Sequence, residues 1–336
     1  MVATFRVFKK IAPNGKLTLY LGKRDFVDHL TNVDPVDGVI TVDDDYLKNR
    51  KVFGQIIATF RYGREEDEVM GLQFVKELCL ASEQIYPVPS EEKSYTLTRM
   101  QERLLSKLGS KAFPFQFQIS PNAPNSVTLQ PGPDEAGAPC GVSYDLKVYV
   151  GDSEEDKSHK RSTVKFGIRK IQWAPIKQGR QPCSIVRKDF LLSPGELELE
   201  ATLDRQVFHH GDPITVNISV RNYSSKTVKR IRISAVQTID ICMFASGHYR
   251  ATVACVDTQD GCPINPGFTV QKVVEIRPSL EYSRVKRGVA YEGQLKKEDS
   301  NLASSTLFLD QDHKDVFGIV VEYSIKVKLF LGALGG

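Results

Sequence analysis

No run of about 18 apolar residues occurs in the 336-residue chain, so no segment reads as a membrane-spanning helix. The opening residues, MVATFRVFKK, lack the long apolar core of a secretory leader. Catalytic signatures are missing too: there is no nucleophile elbow, no phosphate-cradling glycine-rich loop and no paired-histidine metal motif. His209-His210 run into Gly-Asp-Pro and read as a turn. An enzyme is therefore not expected. Cysteine is sparse, at positions 79, 140, 183, 242, 255 and 262. Most of the six lie in apolar, strand-like runs and read as buried, reduced thiols of a cytosolic protein. His248 with Cys255 and Cys262 fits no zinc spacing, and neither a metal nor another cofactor is expected. A formal net charge of +4 is too small to argue for nucleic acid.

What is present is an ordinary globular composition, 41% hydrophobic and 26% charged. The length favours two cores over one. Strand signals dominate. Leu17, Leu19 and Leu21 alternate with Thr18 and Tyr20, and Val216, Ile218 and Val220 share one face of a second run. Val228–Ser234 follows the turn residues Asn-Tyr-Ser-Ser, which predicts a hairpin with that run. Asn217 and Asn222 head formal glycosylation sequons but read as strand residues. Many short strands with few helices predict an all-β chain of two antiparallel β-sandwich domains. Pro175, Gly179 and Pro182 make 171–182 a hinge, dividing the chain into 1–170 and 183–336.

One segment departs from the strand pattern. Thr98-Arg-Met-Gln101 has the form of a capping box, and Gly109 stands where a C-terminal cap belongs. Between them Met100, Leu104 and Leu108 form an apolar stripe, with Arg99, Arg103 and Lys107 beside it. This is one short amphipathic helix. Charge is also clustered, basic at 6–10, 99–111, 157–170 and 226–232, and acidic at 43–45, 65–68 and 152–156. Lys23-Arg24-Asp25 and Arg169 stand among apolar neighbours, where an unpaired charge is costly. Their partners must come from elsewhere in the chain.

RVFKK at 6–10, LGKRDFVDH at 21–29, VDPVDGV at 33–39, FRYGRE at 60–65 and SVTLQPGP at 126–133 resemble arrestin wording. So do CGVSYD at 140–145, EEDKSHKR at 154–161, KTVKRIRIS at 226–234 and EDSNLASST at 298–306. They occur in the family's order over the whole chain, and the resemblance is specifically to the visual and beta-arrestins. It implies a protein that binds activated, phosphorylated seven-helix receptors, rhodopsin being one candidate. Such a protein blocks G-protein coupling and desensitises signalling without doing chemistry. It would be cytoplasmic, and recruited to the plasma or photoreceptor membrane on receptor activation. The rival implication is an arrestin-fold trafficking scaffold that binds cargo independently of phosphorylation.

The resemblance also implies roles. Asp25, Arg169, Glu292 and Asp299 match an inter-domain polar core that phosphate disrupts; Glu292 stands where the family carries Asp, and its extra methylene moves the carboxylate outward. Arg6, Lys9, Lys10, Arg24, Arg103, Lys107 and Lys296 match the receptor-phosphate surface or lie beside it. Strict alternation puts Lys9 and Lys10 on opposite strand faces, so they serve one site only if the strand ends there. Arg64, Glu65, Val69, Met70, Gly71 and Leu72 match the finger loop that enters the receptor cavity. Met100, Leu104 and Leu108 match the stripe on which a tail segment docks. Arg230, Arg232, Arg250, Lys326 and Lys328 partly match a site for inositol phosphates or phosphoinositides, with Val236 where relatives are basic. The sequence stops at Gly336, short of the family's last strands and regulatory tail. This implies a truncated chain, partly unlatched, prone to self-association and without the motifs for clathrin and its adaptor.

Overall fold

The computed structural model describes residues 6–68, 71–88, 96–156, 160–174, 179–191, 193–293, 295, 301–308 and 316–332. The first half contains β1 (Phe8–Ile11), β2 (Leu17–Leu21), β3 (Asp25–Asp28), β4 (Val36–Val42), β5 (Lys51–Arg61) and β6 (Val75–Tyr86). It continues with β7 (Ala112–Phe117), β8 (Val127–Leu129), β9 (Gly141–Gly151) and β10 (Thr163–Gln172). The second half contains β11 (Cys183–Phe190), β12 (Ser193–Leu203), β13 (Ile214–Asn222) and β14 (Val228–Cys242). After these come β15 (Ser246–Thr258), β16 (Thr269–Ile276), β17 (Ala290–Glu292) and β18 (Gly318–Leu331). Helices α1 (Asp44–Leu47) and α2 (Arg99–Leu108) interrupt the strands.

The chain folds as two β-sandwich domains. One pairs the sheet β1-β2-β4-β7 with a seven-stranded sheet built on β9; the other pairs β11-β12-β13-β16 with β15-β14-β18. Alternation explains each layer, as Leu17, Leu19 and Leu21 are fully buried while Thr18 and Tyr20 are only partly so. Among the described residues the named strands pair antiparallel, with one parallel exception: β3 lies along β10 with Asp25 opposite Arg169.

Two expectations are corrected. β13 and β14 do not form a hairpin. β13 pairs with β12 and β16, whereas β14 pairs with β15 and β18 in the facing sheet. Buried Asn222 explains the crossing. Its side-chain amide donates to the carbonyls of Lys226 and Ile264, and its oxygen accepts from Ser224, so the turn carries the chain across the sandwich. The amide is thereby occupied inside the sequon. The cysteines are free but not buried: Cys79 and Cys183 are exposed, and the other four are half-buried. Cys79 and Cys183 lie on the edge strands β6 and β11, whereas Cys140 and Cys262 pack against the cores from loops.

The halves are not packed independently. β17 comes from the second half of the chain, yet it pairs antiparallel with β8 of the first. Ala290 and Ala303 join the core cluster of Leu19, Phe26 and Ile56. The capping box forms as read, with Thr98 accepting from the Gln101 amide and Gln101 reaching back to the Thr98 N–H. Among the described residues no helix is long and apolar enough to cross a membrane. Nor, among them, do three His, Cys, Asp or Glu side chains gather to hold a metal ion.

Candidate functional site

The parallel pairing of β3 and β10 creates the centre of the site. Arg169 donates from Nε to Asp25 Oδ1 at 2.6 Å and from Nη2 to Oδ2 at 2.8 Å, the planar fork matching the carboxylate. Its Nη1 reaches the carbonyl of Gly293 at 3.3 Å, so the guanidinium also contacts the segment that follows β17. The Arg169 side chain is 14% exposed and that of Asp25 is 42% exposed.

Glu292 is the last residue of β17. Its Oε1 accepts from Ser304 Oγ at 2.9 Å and lies 3.4 Å from His210 Nε2. Burial would raise its pKa, but the hydrogen bonds of His210 and Ser304, with the nearby charges of His210 and Arg169, outweigh burial and hold the carboxyl below its usual range. Its charge therefore stabilises the fold above the ordinary carboxylate range, and that contribution is lost as pH falls through the depressed folded value. Asp299 lies outside the described residues.

The cationic surface begins beside this centre. Arg24 donates from Nε to the carbonyl of Gly167 at 2.8 Å and stacks over Phe166 at 4.8 Å. Lys10 shares that ring, with Nζ 5.8 Å from its centroid and bonded to the carbonyl of Lys165. Burial, and the charge of Arg169, pull the Arg24 guanidinium below its ordinary value against Asp25 and Asp145. Lys9 is set apart, over Tyr20 at 5.8 Å. β1 continues through Ile11, so strict alternation holds and the two lysines face different neighbours. Arg6 stacks on Phe8. Arg103 and Lys107 are exposed on α2, and Lys296 lies outside the described residues.

On α2, Met100 is buried against Gly22, where a Cβ would stand 3.4 Å from its side chain. Leu104 and Leu108 are half-buried. Sequence reading missed Gln101, which is fully buried and donates to the carbonyls of Gly38 and Phe115 at 3.0 and 2.9 Å. Its place in the capping box was the available signal.

The loop between β5 and β6 is tied at its base and open at its tip. Arg64 pairs with Asp67 and Glu66, and Glu65 accepts from the N–H of Ala138 at 2.6 Å. Gly71 has φ of 83°, and Leu72 is 62% exposed. Val69 and Met70 lie outside the described residues. Below the loop, Tyr62 and Phe60 meet Phe244 of the β14–β15 turn at 5.5 and 6.2 Å, and Phe317 meets Phe60 at 5.0 Å. Aromatic side chains thus join the loop base to the second domain.

A second basic patch lies on the β15-β14-β18 sheet. Arg232, Arg250, Lys326 and Lys328 line a concavity of about 490 Å³ with Ser234, Val236 and Thr238. Arg230 stands outside that lining. Arg230 and Arg232 share Asp257, at 3.3 and 2.5 Å, and both stack on Phe330.

Residues 17–173 match the family description "Arrestin (or S-antigen), N-terminal domain", and residues 193–336 match "Arrestin (or S-antigen), C-terminal domain". The chain belongs to the arrestin family. Across its full length it is 60% identical to an "Arrestin homolog" of Heliothis virescens, covering 88% of that protein. It is 54% identical to "Phosrestin-2" of Drosophila melanogaster, covering 92% of it. It is also 48% identical to "Arrestin, lateral eye" of Limulus polyphemus, covering 82% of it. Arrestins are signalling adaptors and not enzymes, and this chain's role is arrestin-type receptor desensitisation.

Proposed function

We propose that this arrestin recognises activated seven-helix receptors through their phosphates and blocks G-protein coupling sterically, with Arg169 as the phosphate-sensitive latch. The observation that carries the reading is the bidentate Arg169–Asp25 pair at the domain junction, beside a cationic surface built on Phe166 of the same strand, β10. A phosphate carries nearly two negative charges and three acceptor oxygens. Arriving at Lys10 and Arg24, it competes with Asp25 for the guanidinium. The Arg64–Leu72 loop then enters the receptor cavity, and Met100, Leu104 and Leu108 hold a tail segment until release. The working units are residues 1–170 and 183–336 about a hinge at 171–182. Arg232, Arg250, Lys326 and Lys328 form a second site for an inositol phosphate or phosphoinositide headgroup, weakened by Asp257. The names of the relatives, a phosrestin and a lateral-eye arrestin, support rhodopsin as the receptor and the cytoplasmic face of a photoreceptor membrane as the place of recruitment.

Binding to phosphorylated and unphosphorylated receptor tests the latch. Arg169→Glu is expected to shrink the preference for the phosphorylated form by roughly tenfold, the scale of one ion pair. An unchanged preference refutes the latch. Phosphate-blind binding by the parent chain favours the trafficking scaffold.

A further inference from the structure

Phe166 of β10 is buried in the core of the first sandwich, yet two cations meet its ring. Arg24 stands 4.8 Å from the ring centre and Lys10 5.8 Å from it. Among the described residues β3 covers its side of β10 only from Arg169 onward. Upstream of that point two side chains stand in for strand N–H groups. Lys10 donates to the carbonyl of Lys165, and Arg24 Nε donates to that of Gly167 at 2.8 Å. Carbonyls two residues apart are separated by about 6.6 Å along a strand, and Phe166 sits between these two. Gly167 leaves the room for this: a Cβ there would stand 3.3 Å from Arg24 Nη2. Each cation keeps further donors. An ammonium has three N–H groups and a guanidinium five, and one of each is placed on a carbonyl. One phosphate, with three acceptor oxygens and charge-assisted bonds of about 2.8 Å, spans a gap of that size.

We propose that Phe166 is a positioning residue for the receptor phosphate: its ring and the two flanking carbonyls set Lys10 and Arg24 as a clip, so that one tail phosphate engages both cations at once. The proposal rests on the reading that this arrestin recognises its receptor through phosphates. The ring holds the two cations over one face of the strand edge, and the carbonyls fix their spacing along it. Neither cation has to be ordered when the anion arrives, which lowers the cost of binding it. Lys9 lies over Tyr20, off the clip, and serves as the internal control. A ring that merely supported the fold would affect Lys9 and Lys10 alike.

The probe is a synthetic Ser/Thr-rich peptide carrying one phosphoserine, with its unphosphorylated twin, titrated calorimetrically against the full chain. The readout is the ratio of the two affinities. Phe166→Leu keeps apolar bulk and removes the ring. It is expected to lower the ratio by about two- to fivefold, the scale of one exposed cation–π contact. In that background the further loss from Lys10→Ala is expected to shrink, while the loss from Lys9→Ala stays as in the parent. An unchanged ratio in Phe166→Leu, or a Lys10→Ala loss as large as in the parent, overturns the proposal. Arg24→Lys leaves the core untouched and decides the matter if Phe166→Leu fails to fold. It keeps the charge without the planar stack, and a ratio lower by about two- to fivefold is expected; a ratio equal to the parent's overturns the clip. Where the parent prefers the phosphorylated peptide, failure of the clip leaves the phosphate reading standing. A parent ratio of one refutes that reading and the proposal together.

Discussion

Arg169 and Lys170 are neighbours on β10, yet alternation turns one to the domain junction and the other inward. Lys170 is 1% exposed, and its ammonium meets Asp28 as well as the carbonyls of Ala123 and Pro121 at 2.7 and 3.2 Å. Burial lowers the Lys170 pKa, against the raising effect of Asp28. The two cations thus differ in kind. Arg169 keeps a partner that an incoming anion could replace, and Lys170 is enclosed. Breaking a buried pair by removing one partner costs about 3–5 kcal/mol, whereas replacing both by apolar groups of similar volume is often neutral. Lys170→Met and Asp28→Leu are each expected to destabilise by that amount in urea unfolding, and the double variant by clearly less. Single variants that cost under about 1 kcal/mol would class the pair with solvated surface bridges.

At the scale of the element, α2 is held by more than its apolar stripe. Gln101 caps the helix N-terminus and at the same time supplies the donor for two carbonyls of β4 and β7. These tasks are separable. A glutamate at the third helical position completes a capping box as well as glutamine does, but it has no N–H for Gly38 or Phe115. Gln101→Glu and Gln101→Leu are therefore both expected to lose about 1–3 kcal/mol, the cost of stranding buried polar groups, with faster amide exchange across α2. A Gln101→Glu chain as stable as the parent would mean that the cap alone matters.

Across the whole molecule, one amide of the second half helps hold the strand that the two halves share. Gln237 of β14 is fully buried. Its Oε1 accepts from the N–H of Ala290, and its Nε2 donates to the Ala290 carbonyl, both at 2.8 Å. The side chain takes the place of a neighbouring strand for β17, which also pairs with β8. Gln130 adds bonds from the first half to the carbonyls of Ser283 and Lys286. Gln237→Leu is expected to cost about 1–3 kcal/mol for the unpaired N–H of Ala290, whose carbonyl keeps the N–H of Ala303 at 3.0 Å. Calorimetry should then show a single transition separating into two, because the halves lose their shared strand. An undivided transition at the parent's temperature would place the coupling elsewhere, the Phe60–Phe244–Phe317 contacts being the next candidate.

What residue order determined was local. Alternation at Leu17–Leu21 and Ile214–Asn222 specified strands with one buried face, and Thr98, Gln101 and Gly109 marked the ends of α2, because period and capping act within a few residues. Charged residues among apolar neighbours showed that Asp25 and Arg169 needed partners, and family wording said which. Only the tertiary structure decided the rest. Parallel register between β3 and β10 placed Asp25 opposite Arg169 from 144 positions away in the chain. The Asn222 turn sent β14 to the facing sheet, which no strand period distinguishes from a hairpin. His210, an ordinary turn residue by sequence, became a partner of Glu292 because the second domain folds its turn against the strand that the first domain holds. Such pairings depend on where chain segments meet, and periodicity carries no information about distances between segments far apart in sequence.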